Sequence, residues 1–251
     1  MKRIYGLFLV LAIAGFSHAV AVFDLVGDFG NYPGNTKWNG NGFWYFGWKS
    51  TITSDLNKFF GFGTYQPASN GVDFFRLYRS DVGKGEIPVI EKNMGSSAVA
   101  GVEPGQLAMR GALQAGQGGD GALAAASFIY TGSTSYSGTL SAFFLEGNTG
   151  KIQGYVTLRR DNVLTVLFDT GVVGTSSTWS LPNFTLQEGD EIDILVASMD
   201  DTAFTHTPVN LWFEGTAAPP NVDPVPEPFT MPLLAMATVA WYRRRRSNKA
   251  A

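Results

Sequence analysis

Between Val22 and Thr216, apolar residues recur at every second position in short runs. No stretch of useful length there holds the 3.6-residue period of an amphipathic helix. Tyr136, Gly138, Leu140, Ala142 and Phe144 alternate with Ser137, Thr139, Ser141 and Phe143, the pattern of a strand with one buried face. Strands are also predicted over 151–158 and 162–169, separated by Arg159, Arg160 and Asp161, with a turn at 146–150 before them. Ile192, Ile194 and Val196 line one face of a later strand, and Val209, Leu211 and Phe213 a face of the last. On this reading Gln187–Asp190 forms a hairpin turn that Asp190 helps to fix, and Asp193 faces solvent. Turn signals at intervals of about 8 to 14 residues predict an all-β fold, a single β-sandwich of jelly-roll type over residues 22–215.

Composition agrees. Aromatic residues make up 14% of the chain and charged residues 16%, with 30 glycines, which suits sheets and tight turns better than a helical bundle. There is no cysteine, so disulfides, thiolate nucleophiles and cysteine-bound zinc are excluded, and the body must be held by its core or by bound ions. Seven of the 18 basic residues lie in the two ends, leaving 11 against 20 acids over 22–226, a net charge near −9. A surface that acidic repels nucleic acid backbones and argues against such a partner.

Two segments depart from the regular pattern. Phe29 to Trp48 is a Gly- and Asn-rich lead into a dense aromatic strand, expected as a looser N-terminal layer of the one domain. In that strand Phe43, Tyr45 and Gly47 share one face and Trp44, Phe46 and Trp48 the other. One aromatic face is expected to build the core; the alternative makes Trp44 and Trp48 candidate sugar-stacking residues, with nearby Asn side chains and Lys49 bonding hydroxyls. Gly111 to Ala126, rich in Gly and Ala, reads as a long loop or an edge.

Catalytic chemistry finds little support. His206 is the only histidine outside the leader and sits in the polar run 201–207, where a solvated side chain is expected. No Gly-x-Ser-x-Gly elbow accompanies it. Asp190, Glu191, Asp193, Asp200 and Asp201 bracket one strand, and Glu146 and Glu214 lie at strand ends; a glycan-active enzyme would need two such carboxyls at fixed separation. No cofactor is assigned; calcium suits the Asp, Asn and carbonyl oxygens present, although there is no Asp-x-Asp-x-Asp loop. No catalytic residue and no metal ligand is assigned.

The ends carry addresses. Met1-Lys2-Arg3, an apolar run from Ile4 to Phe16 and Ser17-His18-Ala19-Val20-Ala21 form a secretory signal peptide over residues 1–21, with cleavage after Ala19 or Ala21. The Sec translocon and signal peptidase are the partners this implies. Residues 216–228 are Pro-rich and extended; at about 3.1 Å per residue they reach roughly 40 Å. Residues 229–242 carry no charge, and Arg243, Arg244, Arg245 and Arg246 open a basic tail over 243–251. A 14-residue helix rises only about 21 Å against a hydrocarbon core of about 30 Å, so 229–242 is a marginal span of the inner membrane. The arginines stay cytoplasmic by the positive-inside rule, which places the body outside.

The order Val225-Pro226-Glu227-Pro228, apolar run, arginine cluster resembles the PEP-CTERM sorting signal of bacteria that make extracellular polysaccharide. The resemblance implies that Pro226, Glu227 and Pro228 are read by an exosortase, a membrane-embedded cysteine protease or transpeptidase, while the arginines hold the chain in the membrane. A tail of this kind is also catalogued as an ice-binding protein C-terminal domain, yet the body has no regular Thr-x-Thr array. The body is similar to a recurrent sandwich of exported proteins of these bacteria, several with the same tail, on Trp44 to Gly47, Ile87-Pro88-Val89-Ile90 and 186–193. That likeness brings no activity. Together these features lead to the expectation of an exported, non-catalytic surface or matrix protein. The alternatives are a carbohydrate-binding module for extracellular polysaccharide and a glycan-active enzyme.

Overall fold

The computed structural model describes residues 19–29, 36–58, 64–67, 73–78, 88–112, 120–146, 150–199 and 206–217. Its strands are β1 Val20–Asp24, β2 Thr36–Trp38, β3 Gly42–Lys49, β4 Asn57–Lys58, β5 Thr64–Pro67, β6 Asp73–Tyr78, β7 Val89–Asn93 and β8 Leu107–Arg110. They continue with β9 Leu123–Tyr130, β10 Tyr136–Phe144, β11 Ile152–Arg160, β12 Val163–Asp169, β13 Ser177–Leu186, β14 Glu191–Ser198 and β15 Thr207–Ala217. The one helix among the described residues, α1 (Leu25–Phe29), is a single turn.

The strands form two antiparallel sheets that pack face to face. The first runs β13-β10-β15-β8-β7-β6-β5, with β1 also on β15; the second runs β12-β11-β14-β9-β3-β2, with β4 also on β3. The pairings β11·β12, β10·β13, β9·β14 and β8·β15 are nested around the β11–β12 turn. They describe one long hairpin rolled so that successive pairs alternate between the sheets, which is jelly-roll connectivity. The innermost turn is Asp161-Asn162, with φ of 51° and 63°, the left-handed conformation that a two-residue hairpin turn needs and that Asp and Asn tolerate.

Each inner face is the apolar set its alternation specifies. Leu140, Ala142 and Phe144 meet Ile192, Ile194 and Val196 in one core with Val209, Leu211 and Phe213, all essentially inaccessible. The aromatic strand belongs to the same core. Trp44, Phe46 and Trp48 lie opposite Phe128, Ala126 and Ala124 of β9, so the latter two rings meet methyl groups. Full pairing of β3 with β9 therefore replaces the expected looser layer. The Asn/Gly-rich lead is equally tied in. Asp24 caps α1 through Val26 N at 3.1 Å, and Asn39 and Asn41 donate to the carbonyl of Val22.

Two further expectations are corrected. Residues 123–126 are part of an interior strand and not of a loop or edge: Ala124 and Ala126 are buried beside Trp48 and Phe46 on the inner face, and Ala125 is buried on the outer face in a cluster with Ile52 and Leu56. Gln187–Asp190 is not a hairpin, since β13 and β14 belong to different sheets and the turn crosses the sandwich. Asp190 does fix that turn, accepting from Gln187 N at 2.8 Å, and Arg160 grips its carboxylate through Nε and Nη2, each at 2.7 Å.

Candidate functional site

The outer face of the second sheet holds the densest polar chemistry among the described residues. Register places Trp38, Phe43, Ile129, Glu191 and Arg159 in one row across the sheet. The next row is Thr36, Tyr45, Ser127, Asp193 and Thr157, and the one after it holds Gly47, Ala125, Leu195 and Tyr155. Lys49 follows on β3, level with Leu123.

This face is partly roofed. The segment after β3 turns at Thr51–Ser54 and returns as β4, whose Asn57 and Lys58 pair with Trp48 and Gly47. Ile52 and Leu56 seal it onto Leu123, Ala125, Leu195 and Ala197, a second small core. Gly47 makes the approach possible, since a Cβ there would land on the carbonyl oxygen of Asn57.

Lys49 and Asp193 lie beneath that roof, and both side chains are inaccessible to solvent. The Lys49 stem crosses the row of Gly47 and Ala125 and brings Nζ to 2.7 Å from Asp193 Oδ2. Thr157 Oγ1 donates to the same oxygen at 2.8 Å, and Ser127 Oγ donates to Oδ1. Both oxygens of the buried carboxylate are thus served by a charge or a hydroxyl, the condition for keeping ions in a core. Glu191 stands at the rim, 3.6 Å from Lys49 Nζ and 3.4 Å from Arg159 Nε. Burial pushes its carboxyl above the ordinary glutamate value, and the charge of Asp193 pushes it further, against the pull of Lys49 and Arg159.

Asp193 was expected on a solvated face, and this is corrected. The signal was present in its own strand: residues 193, 195 and 197 read Asp, Leu and Ala, so the second face is apolar as well and needs a cover. His206 is corrected likewise, being buried with its Nδ1 against a carboxylate oxygen of the buried Glu91. Glu91 pairs in register with Ala108, and so does Pro208, which brings the start of β15 to within a strand of β7.

Neither candidate sugar-stacking residue has a free ring. Trp44 is fully buried, its Nε1 donating to Asp28 Oδ2 at 2.9 Å and its ring edge-on to Phe23 at 5.6 Å. Trp48 is half-buried and packs on the main core. The ring that is open is Trp38, 52% exposed, lying 4.6 Å from Phe43, which is 6.2 Å from Tyr45. Lys58 Nζ sits 4.3 Å over the Tyr45 ring.

Ala19 and Ala21 are exposed, with Ala21 inside β1, which begins at Val20. Pro226, Glu227, Pro228 and Arg243 to Arg246 lie outside the described residues, as do Asp200, Asp201 and the 229–242 segment. Among the described residues no helix is long and apolar enough to cross a membrane. Nor does any group of three or more His, Asp or Glu there stand ready to hold a metal ion; in the Asp193–Glu191 cluster the ammonium of Lys49 takes the place of a cation.

No protein-family model matches the chain, and no curated protein matches it. Among solved structures it is similar to the crystal structure of murine APRIL at pH 8.5, at 14% identity over 35% of this chain and 70% of that one, with a TM-score of 0.22. A likeness at that level carries nothing about function.

Proposed function

We propose that the chain is an exported, non-catalytic module of the cell surface or extracellular matrix, delivered by the Sec route and processed at its C-terminal sorting signal. The observation that carries the reading is the three-part tail: Pro226-Glu227-Pro228, an uncharged run and four arginines. The body is compatible with that destination. It is a cysteine-free sandwich, and its buried carboxylates Asp190 and Asp193 are bound by Arg160 and Lys49. Groups held in that way brace strands and turns and are not offered to a substrate. Cleavage after Ala19 leaves β1 whole, whereas cleavage after Ala21 removes its first two residues, so the former suits the fold better. The test replaces Glu227 and, separately, the four arginines in the native host. Loss of surface delivery with retention in the membrane fraction is expected, and unchanged delivery in both variants refutes the reading.

Binding of extracellular polysaccharide is the second reading, and one observation favours it. Trp38, Phe43 and Tyr45 form an aromatic strip on the outer face beside Lys58, and Trp38 presents half its surface to solvent. Exposed rings of this kind stack on the apolar faces of sugars. Glycan-array binding that survives in the wild type and is lost in Trp38→Ala supports it; equal binding by both removes it.

A further inference from the structure

We infer that Lys49 and Asp193 are the two halves of an internal covalent cross-link, an amide between the lysine Nζ and the aspartate Cγ. The reactants are held in place by the fold. They sit on β3 and β14, with β9 between them, 144 positions apart in the sequence, yet Nζ and Oδ2 are 2.7 Å apart. Neither side chain has any solvent-accessible surface. A pair held this close reacts as one molecule, which removes much of the entropic barrier to condensation.

The chemistry balances without an oxidant or a reductant. One proton passes from the Lys49 ammonium to Asp193, giving a neutral amine and a carboxylic acid. The Nζ lone pair then attacks Cγ. Negative charge develops on Oδ1, where the Ser127 hydroxyl already donates. The other oxygen, Oδ2, held by Thr157, is the one that leaves. Glu191, 3.6 Å from Nζ, takes the second nitrogen proton and returns it to the departing hydroxyl. One C–N bond forms, one C–O bond breaks and one water is released. The raised affinity of Glu191 for a proton, set first by its burial, suits it to carry one between the two atoms. The roof formed by residues 51–56, with Ile52 and Leu56 on Leu123, Ala125, Leu195 and Ala197, excludes the bulk water that would drive the reaction backwards.

Such a bond would do for this chain what a disulfide does elsewhere. The sequence has no cysteine, and the link joins the aromatic strand to the middle of the rolled hairpin. It is independent of how the tail is sorted and of whether a glycan binds at Trp38.

The experiment is a protease map of the full chain, purified folded and then denatured. A branched species is expected, joining the Lys49 and Asp193 peptides and lighter than their sum by one water. It should be absent from Lys49→Arg, which keeps the ion pair but not the nucleophile, and that variant should lose the faster gel migration of a cross-linked denatured chain. Glu191→Gln, folded by circular dichroism, should show slow or partial linkage. Recovery of both peptides as separate, full-mass species from folded wild-type protein means an ion pair only and overturns the proposal. Complete linkage in Glu191→Gln overturns the assignment of Glu191 as the proton carrier.

Discussion

Replacing Trp44 with alanine tests the assignment of the aromatic strand to the core. The indole is fully buried between Phe23 and Phe128, at ring separations of 5.6 and 5.1 Å. Removing a core tryptophan costs about 3–5 kcal/mol through lost contacts and the cavity left behind. Losing the Nε1 donor adds little, because Asp28 keeps Asn39 Nδ2 at 2.9 Å and Asp24 N at 3.1 Å. A loss near 4 kcal/mol should lower the melting temperature by about 8–16 °C for a domain of this size. Trp38→Ala, at an exposed edge, should stay within about 0.5 kcal/mol of the wild type. Differential scanning calorimetry of the two variants reads both values. If Trp44→Ala melts within about 2 °C of the wild type, the ring is not in the core and the pairing of β3 with β9 is wrong.

Asp190→Ala removes the two bonds from Arg160 and the one from Gln187 N, and should cost about 3 kcal/mol in urea unfolding, since bonds to a buried charge are worth about 1.5–3 kcal/mol each and are not additive. Gly47→Ala should push β4 off the sheet, seen as faster amide exchange in residues 50–58 with little change in β10 and β15. The Glu191 carboxyl binds its proton more tightly folded than unfolded. Stability should therefore fall as pH rises from the ordinary glutamate range through the raised value, and Glu191→Gln should flatten that part of the profile. Burial, the largest cause of the shift, is the same whether or not Lys49 and Asp193 are bonded.

Where an apolar inner face alternates with a more polar, partly covered outer one, alternation was enough to read the structure. β10 and β15 are such strands, and Leu140, Ala142, Val209, Leu211 and Phe213 face inward as their spacing requires. Strands covered on both sides lose the alternation. In β9, Ala124, Ala125 and Ala126 look like filler because their neighbours supply the bulk, and in β14 a charged residue lies under a cover formed 140 residues earlier in the chain. The buried Lys49–Asp193 pair was hidden for the same reason, since nothing local to Asp193 names its partner. Crossings between sheets were hidden too. Gln187–Asp190 has the residues of a tight turn whether it closes a hairpin or bridges the sandwich, and Arg160, two turns away, helps to decide which.

Export and tail processing are tested most directly by the two ends of the mature protein. Chain recovered from the outer surface of the native host, analysed by terminal-peptide mass spectrometry, should begin at Val20 or Val22. It should end before Phe229, without the four arginines. A recovered chain that still carries Met1 at its start, or Arg243 to Arg246 at its end, would contradict it.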